Sequence, residues 1–261
     1  MSKLKMEELL NAGAHFGHQT HKWNPKMKKY VYGERNGVYI IDLDQTIPMA
    51  EKAYEFIKKT AQSGRSVLFV GTKRQASNVI KDTAEECGAY YVAFRWLGGM
   101  LTNFKTIGQS IDKLRKVEKM KETGDYSLLT KKEQSKISKE VEKLERNLGG
   151  IKNMRKLPGA IFIIDPEVED IAVAEARNLN IPVVAVTDTN CDPTKVDYVV
   201  PGNDDAIKSI TLFTEYFANA VAEGNTGKKM EGSSSKNANL EEEMMARHEA
   251  KKDSDSASAD A

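Results

Sequence analysis

The chain of 261 residues is 40% hydrophobic and 30% charged, which suffices for one packed domain with a solvated appendage. Its 39 Lys and Arg nearly balance 38 Asp and Glu, so a net charge of +1 does not itself argue for a nucleic-acid partner. No apolar run approaches the ~20 residues of a membrane span, and Glu7 and Glu8 stand where a signal peptide would be apolar, so a cytoplasmic protein is expected. Cys87 and Cys191 lack metal-type spacing and are predicted to be buried thiols.

The N-terminal segment 1–35 is predicted to be a short helix, from Lys5 to Asn11, followed by an arm with no helical or strand period. Seven Lys and Arg stand against three Glu in this segment and are interleaved with four aromatic residues. Such a pattern suits neutralisation of phosphates and stacking on bases or sugars. The candidate contacts are Lys22, Trp23, Lys26, Lys28 and Lys29. A loop that packs its aromatic rings on its own domain is an equally good interpretation.

Residues 36–104 and 158–223 are predicted to form one α/β domain in two pieces. The Asn36-Gly37 pair is a hairpin signal between strands at 30–32 and 38–42. A helix is expected over 46–62, with Pro48 in its first turn. Strands then alternate with helices, the strands at 67–70, 90–93, 160–164, 183–186 and 198–200 and the helices at 73–86, 167–179 and 204–222. Uninterrupted β-branched and aromatic runs between helices predict a parallel sheet covered on both faces.

Residues 105–157 interrupt this alternation and are predicted to be an inserted α-helical hairpin. A stripe of apolar residues at 137, 141, 144, 148 and 151 has the coiled-coil period, and a less regular stripe runs from 107 to 120. Thr130 and Glu133 form a capping box where the second helix starts. Fifteen Lys and Arg against eight Asp and Glu favour a polyanionic partner for this surface, although a dimer or a solvated hairpin would also fit the stripe. The tail 224–261 is predicted to be disordered.

The joint between sheet and insertion, at 95–103, reads Arg-Trp-Leu-Gly-Gly-Met-Leu-Thr-Asn. Its glycines are expected to turn the chain, and Arg95 and Trp96 are both candidates for RNA contact. Arg95 is the better candidate of the two, because Trp96 is also expected to anchor the turn in the domain. Asn103 and Lys105, at the end of the joint, complete its candidate RNA contacts.

The loop at 71–75, Gly-Thr-Lys-Arg-Gln, lacks the spacing of either common nucleotide-binding fingerprint. Thr72 and Gln75 are predicted to form a capping box. That arrangement would leave Lys73 and Arg74 free to contact a backbone phosphate at the N-terminus of the helix.

A divalent cation, zinc or magnesium, is one hypothesis for the carboxyl ends of the strands. His18 of the arm can face Asp188, Asp204 and Asp205 there, because the ends of parallel strands open onto one crevice. Loops that merely cap helices are the alternative interpretation. No nucleophile stands with a base in a recognisable motif, so no enzymatic activity and no required cofactor are expected. An enzyme with a nucleotide in the sheet crevice and an adaptor that dimerises through its hairpin are the competing hypotheses.

Several blocks of sequence resemble the ribosomal protein S2 family of the bacterial small subunit. They begin at Ala14 (AHFGHQTxxWNPKM), Gly37 (GVYIIDL), Val70 (VGTKRQA), Arg95 (RWLGGMLTN), Pro158 (PGxIFIIDP) and Pro182 (PVVAVTDTNCDP). The resemblance covers about 4–223 in the correct order. It implies a three-layer, flavodoxin-like domain with five parallel strands, a coiled-coil insertion and no catalysis. It also implies binding of 16S rRNA between head and body of the 30S subunit and docking of the large OB-repeat protein, the S-one protein.

Overall fold

The computed structural model describes residues 4–226, without the side chain of Leu128. The helices are α1 (Met6–Ala12), α2 (Leu43–Gln62), α3 (Ser77–Cys87), α4 (Phe104–Thr123), α5 (Lys131–Leu148), α6 (Asp170–Asn178) and α7 (207–226). The strands are β1 (Phe16–Gln19), β2 (Val31–Arg35), β3 (Val38–Ile41), β4 (Val67–Val70), β5 (Tyr90–Val92), β6 (Ala160–Ile164), β7 (Val183–Thr187) and β8 (Tyr198–Pro201). The predicted disorder of the tail concerns residues that, from 227 onward, lie outside the described range.

Five strands form the central parallel sheet in the order β5-β4-β6-β7-β8. Every residue of β4, β6 and β7 is buried, as expected for strands that are covered on both faces. The sheet with its flanking helices confirms the prediction of a Rossmann-like α/β fold.

The two faces of the sheet carry separate hydrophobic cores, because successive side chains of a strand point in opposite directions. On one face Phe69 and Phe162 pack edge to face, 5.2 Å apart, beneath Phe217 of α7. Helices α1, α2 and α3 also contribute to this core. On the other face, Ile161 and Ile163 meet α6, the joint 95–103 and the base of the insertion. The joint and the insertion are therefore packed into the domain.

The N-terminal arm is more regular than its sequence indicates. β1 pairs with β3, which pairs with β2, so the arm and the hairpin form one antiparallel three-stranded sheet. The expected turn lies at Asn36 and Gly37, whose positive φ values of 54° and 74° suit a two-residue hairpin loop. Describing the arm as lacking a strand was wrong for β1, because its conformation depends on pairing with β3 and not on a local period.

The insertion consists of two contacting helices, α4 and α5, with a left-handed Gly124 (φ 84°) at the end of the first. The capping box of Thr130 and Glu133 is confirmed. The apolar stripes are the least exposed positions of both helices, with Ile111, Leu114 and Leu148 fully buried. That these helices form a coiled coil stays a prediction.

Four helices of the domain begin at other residues than predicted. α2 starts at Leu43 because the carboxylate of Asp42 accepts the Asp44 amide hydrogen, at 3.1 Å, so Pro48 lies inside the helix and not in its first turn. α3, α6 and α7 each start three or four residues late. The intervening residues form loops at the carboxyl ends of the strands, where long-range contacts override local helix signals.

Candidate functional site

Three lysines of the arm, Lys22, Lys28 and Lys29, are exposed and make no ion pair within residues 4–226. Lys26 differs, because its ammonium lies 2.6 Å from Asp192 and 3.3 Å from the Thr194 hydroxyl. The hydrogen bonds that Asp192 accepts, first from Lys26 and then from the Thr194 hydroxyl at 2.7 Å, lower the pKa of Asp192 to about 2. Lys26 therefore ties the arm to the loop after β7, and its charge is already neutralised.

The aromatic ring of Trp23 packs on the hairpin. Its centroid lies 5.0 Å from that of Tyr39, with the rings tilted by 42°, and the residue is only partly exposed. For Trp23 the arrangement matches the second interpretation of the arm, in which aromatic rings pack on their own domain. Tyr32 and Phe16 are the exposed aromatic residues of this region, with 81% and 49% of their surface accessible.

The joint 95–103 is organised by Glu175 of α6, a residue that sequence reasoning missed. One carboxylate oxygen accepts hydrogen bonds from the Trp96 indole (3.1 Å) and the Gly99 amide (2.6 Å). The other oxygen accepts from the amides of Leu101 (2.9 Å) and Thr102 (3.0 Å) and from the Thr102 hydroxyl (3.0 Å). Five donors thus converge on a carboxylate that is only 8% exposed.

The five hydrogen bonds to Glu175 determine the direction in which its pKa is shifted. Burial by itself raises the pKa of the carboxyl, but hydrogen bonds from the Thr102, Leu101 and Gly99 amides outweigh it, so the pKa lies below its ordinary value. A signal was present in the sequence, since Glu175 shares a helix face with the apolar Ala172 and Ala176. A lone acid on an apolar face requires donors from elsewhere in the fold.

The candidate RNA contacts of the joint differ in how exposed their side chains are. Trp96, a candidate for both roles, is 7% exposed and anchors the turn, which leaves little of its ring to stack on RNA. Arg95 and Lys105 are exposed and without an acidic partner in the described part of the chain. Asn103 is exposed as well, and its side chain accepts a hydrogen bond from the Thr106 hydroxyl at 2.8 Å.

The loop 71–75 does not cap a helix as predicted. α3 begins at Ser77, and the Thr72 amide instead donates to Glu169 at 2.6 Å, which holds the loop against the turn after β6. Arg74 projects into solvent, but the ammonium of Lys73 turns inward.

Lys73 lies among three carboxylates at the carboxyl end of the sheet. Its ammonium is 3.2 Å from Asp165, 2.7 Å from Asp204 and 2.6 Å from Asp205. Burial lowers the pKa of Lys73, yet the negative charge of Asp204 and its neighbours raises it above the ordinary value. The prediction that Lys73 is free to contact phosphate was wrong, because these carboxylates already neutralise it.

All four predicted metal ligands meet beside this lysine. His18 Nδ1 lies 2.8 Å from Asp188 and Nε2 3.4 Å from Asp205, and potential ligand atoms of His18, Asp188 and Asp204 lie within 4.8 Å of one another. The second carboxylate oxygen of Asp204 is buried and has no hydrogen-bond partner among the described residues. Burial, with the charges of Asp165 and Asp188, raises the pKa of Asp204. One imidazole and carboxylate oxygens are suitable ligands for zinc.

In many parallel α/β proteins this edge of the sheet binds a ligand. Here ion pairs between Lys73 and the aspartates fill it. Cys191, beside Asp165, is fully buried, and burial raises the pKa of its thiol, which disfavours the reactive thiolate.

The fold and the site define a class: a parallel α/β domain with a basic two-helix insertion and a crevice filled by its own charged side chains. The chain belongs to the ribosomal protein S2 family, whose model matches residues 9–224. It is accordingly a structural protein of the small ribosomal subunit, associated with rRNA and other ribosomal proteins. Among residues 4–226, none of the helices has the length and hydropathy that crossing a membrane requires.

Proposed function

We propose that this protein binds 16S rRNA between the head and body of the 30S subunit, supports assembly of the subunit, and has no catalytic activity. The observation that carries the proposal is a set of exposed cations that no carboxylate of residues 4–226 neutralises. They are Lys22, Lys28, Lys29, Arg74, Arg95 and Lys105. Such side chains can replace counterions condensed on RNA phosphates, which makes binding favourable at low salt.

The insertion extends this cationic surface. It carries seven more basic than acidic residues between 105 and 157, and the apolar stripes of its helices are turned inward. Some of its cations form ion pairs within the insertion, since Lys113 pairs with Glu140 and Lys152 pairs with Glu118. The remaining excess is available to a polyanion, which favours RNA over a second copy of the chain as the partner.

The proposal is tested by the salt dependence of binding to small subunits from which this protein has been removed. The logarithm of affinity should fall linearly with the logarithm of salt concentration, by about 0.7 to 0.9 for each neutralised phosphate. Arg95→Ala should weaken binding and reduce this slope, whereas Arg177→Ala, at an exposed position on α6, serves as the matched control. Binding that does not respond to salt would contradict the proposal.

We also propose that the S-one protein docks on this chain, as the family resemblance implies. Val168 and Ile171, at the start of α6, are 50% and 51% exposed and offer an apolar contact to another protein. Val168→Asp with Ile171→Asp should reduce the amount of S-one protein retained by reconstituted subunits. Unchanged retention would argue against this contact.

A divalent cation held by His18, Asp188, Asp204 and Asp205 is a third proposal, and the Asp204 oxygen without a partner in residues 4–226 favours it. The Lys73 ammonium would have to withdraw from Asp204 and Asp205, to which it now bonds. Protein purified without chelators should contain zinc or magnesium, and an ion at 100 times its dissociation constant should stabilise the fold by about 2.7 kcal/mol. Absence of bound metal with an unchanged melting temperature would rule the site out.

A further inference from the structure

A second basic site lies at the amino end of the parallel sheet, opposite the aspartate cluster. A groove of about 640 Å³ opens there, next to the first residues of β4, β5 and β6. Its lining includes the side chains of Arg65, Arg155 and Lys156, together with Ser66, Tyr90 and Gly159. The volume falls within the range of about 300–1,000 Å³ that is usual for ligand sites.

The charged side chains that line this groove are all positive. All three cations are exposed, and none of them makes an ion pair in the described part of the chain. No Asp or Glu belongs to the lining of the groove within residues 4–226. The carboxyl end of α2 is close by, but a helix terminus contributes only about half a negative charge, against three full positive charges. The groove is therefore expected to attract anions.

The backbone gives the groove a defined shape. α2 ends at Gln62, and the next turn carries a left-handed Gly64 with φ 76°. Gly159 packs against Arg65, so that a Cβ at position 159 would lie 2.5 Å from the Arg65 Cβ. The Gly159 amide donates to the Ser66 carbonyl at 2.8 Å, and the Tyr90 hydroxyl donates to the Asn153 carbonyl at 3.0 Å.

The groove also continues the basic surface of the insertion. Arg155 and Lys156 lie in the segment that joins the insertion helices to β6, while Arg65 comes from the turn between α2 and β4. Cations from two separate chain segments thus face one concavity.

We propose that this groove binds the phosphodiester backbone of an rRNA segment, with Arg65, Arg155 and Lys156 each contacting a phosphate. The inference rests on the proposed RNA binding and adds a contact site distinct from the arm and the joint. Cationic side chains and serine hydroxyls are suited to phosphate and sugar, so we expect the groove to recognise backbone and not sequence.

The test compares two double variants of the full chain that remove equal charge. Arg155→Gln with Lys156→Gln alters the groove, and Arg177→Gln with Lys208→Gln alters exposed residues on α6 and α7. Affinity is measured over a salt series, both for protein-free small-subunit rRNA and for small subunits stripped of this protein. The groove variant should lose about 1.4 to 1.8 from the magnitude of the salt slope on both targets, at about 0.7 to 0.9 per phosphate. The control variant should keep the wild-type slope.

Each alternative result has a separate meaning. A groove variant with the wild-type slope would overturn the groove while leaving the proposed RNA binding intact. A wild-type protein whose binding is independent of salt would instead contradict RNA binding itself. If the two variants differ on stripped subunits but not on protein-free rRNA, the groove binds an acidic protein segment, and the inference is wrong. Equal melting temperatures of both variants show that folding is not the cause.

Discussion

Replacing Glu175 by Gln should destabilise the protein and loosen the joint 95–103 without removing any surface charge. The carboxylate accepts five hydrogen bonds, two on one oxygen and three on the other. A Gln side chain keeps one oxygen and places its amide NH₂ against the remaining donors. In the better orientation, the Trp96 indole and the Gly99 amide lose their acceptor.

The size of the effect follows from those two donors. A buried donor without an acceptor costs about 1–3 kcal/mol, and water can partly satisfy Gly99, which is less buried than Trp96. We therefore expect a loss of about 2–4 kcal/mol in the free energy of unfolding. For a domain of this size, such a loss corresponds to a melting temperature lower by about 4–16 °C.

The pH dependence gives an independent check. Because its folded-state pKa lies below the ordinary value of 4.5, Glu175 contributes stability that is fully present above that value and lost as pH falls through the folded pKa. The neutral Gln lacks this contribution. The stability gap between wild type and Glu175→Gln should therefore be largest near neutral pH and should shrink in acid.

Urea denaturation at several pH values measures both quantities, and Glu167→Gln, at an exposed position just before α6, is the matched control. Equal midpoints for the Glu175 and Glu167 variants would refute the reasoning. A gap that stays constant down to pH 3 would show that the carboxylate charge is not the stabilising element.

Three further predictions concern the joint, the ion-pair cluster and a close backbone approach. Trp96→Ala should lower stability by about 3–5 kcal/mol because a buried ring is removed, while Arg95→Ala should change stability by less than about 0.5 kcal/mol and weaken subunit binding. The reverse pair of results would make Arg95 the anchor of the joint and Trp96 the RNA contact. Lys73→Met should lower the free energy of unfolding by about 3–5 kcal/mol at neutral pH, because it leaves buried carboxylates unpaired. The loss should be smaller in acid, where these carboxylates can protonate, so an equal loss at pH 5 and pH 8 would contradict this cause. Gly150→Ala should destabilise strongly, since its Cβ would meet the Tyr91 carbonyl, whereas Gly98→Ala, with open space around it, should be nearly neutral in the same thermal melts.

Much of the fold follows from local rules that act within a few residues. Uninterrupted apolar runs predicted the five parallel strands, because burial on both faces leaves no alternation to observe. The Asn36-Gly37 turn and the Thr130 capping box depend on neighbouring backbone and were confirmed. The excess of basic residues in the insertion is a property of composition, so the sequence alone favoured a polyanionic partner.

Only the tertiary structure decided how charged side chains are used, because electrostatic partners are chosen by proximity in space. Trp96 and Glu175 are 79 positions apart, and Lys73 and Asp204 are 131 apart, yet each pair is in contact. Composition cannot distinguish the neutralised Lys73 from the exposed Arg74 next to it. The joint 95–103 is likewise held by Glu175, which lies on a helix in the other half of the domain. The sequence by itself determined the five parallel strands, the Asn36-Gly37 turn and the positive charge of the insertion. The packing of distant segments determined which cations remain available to RNA.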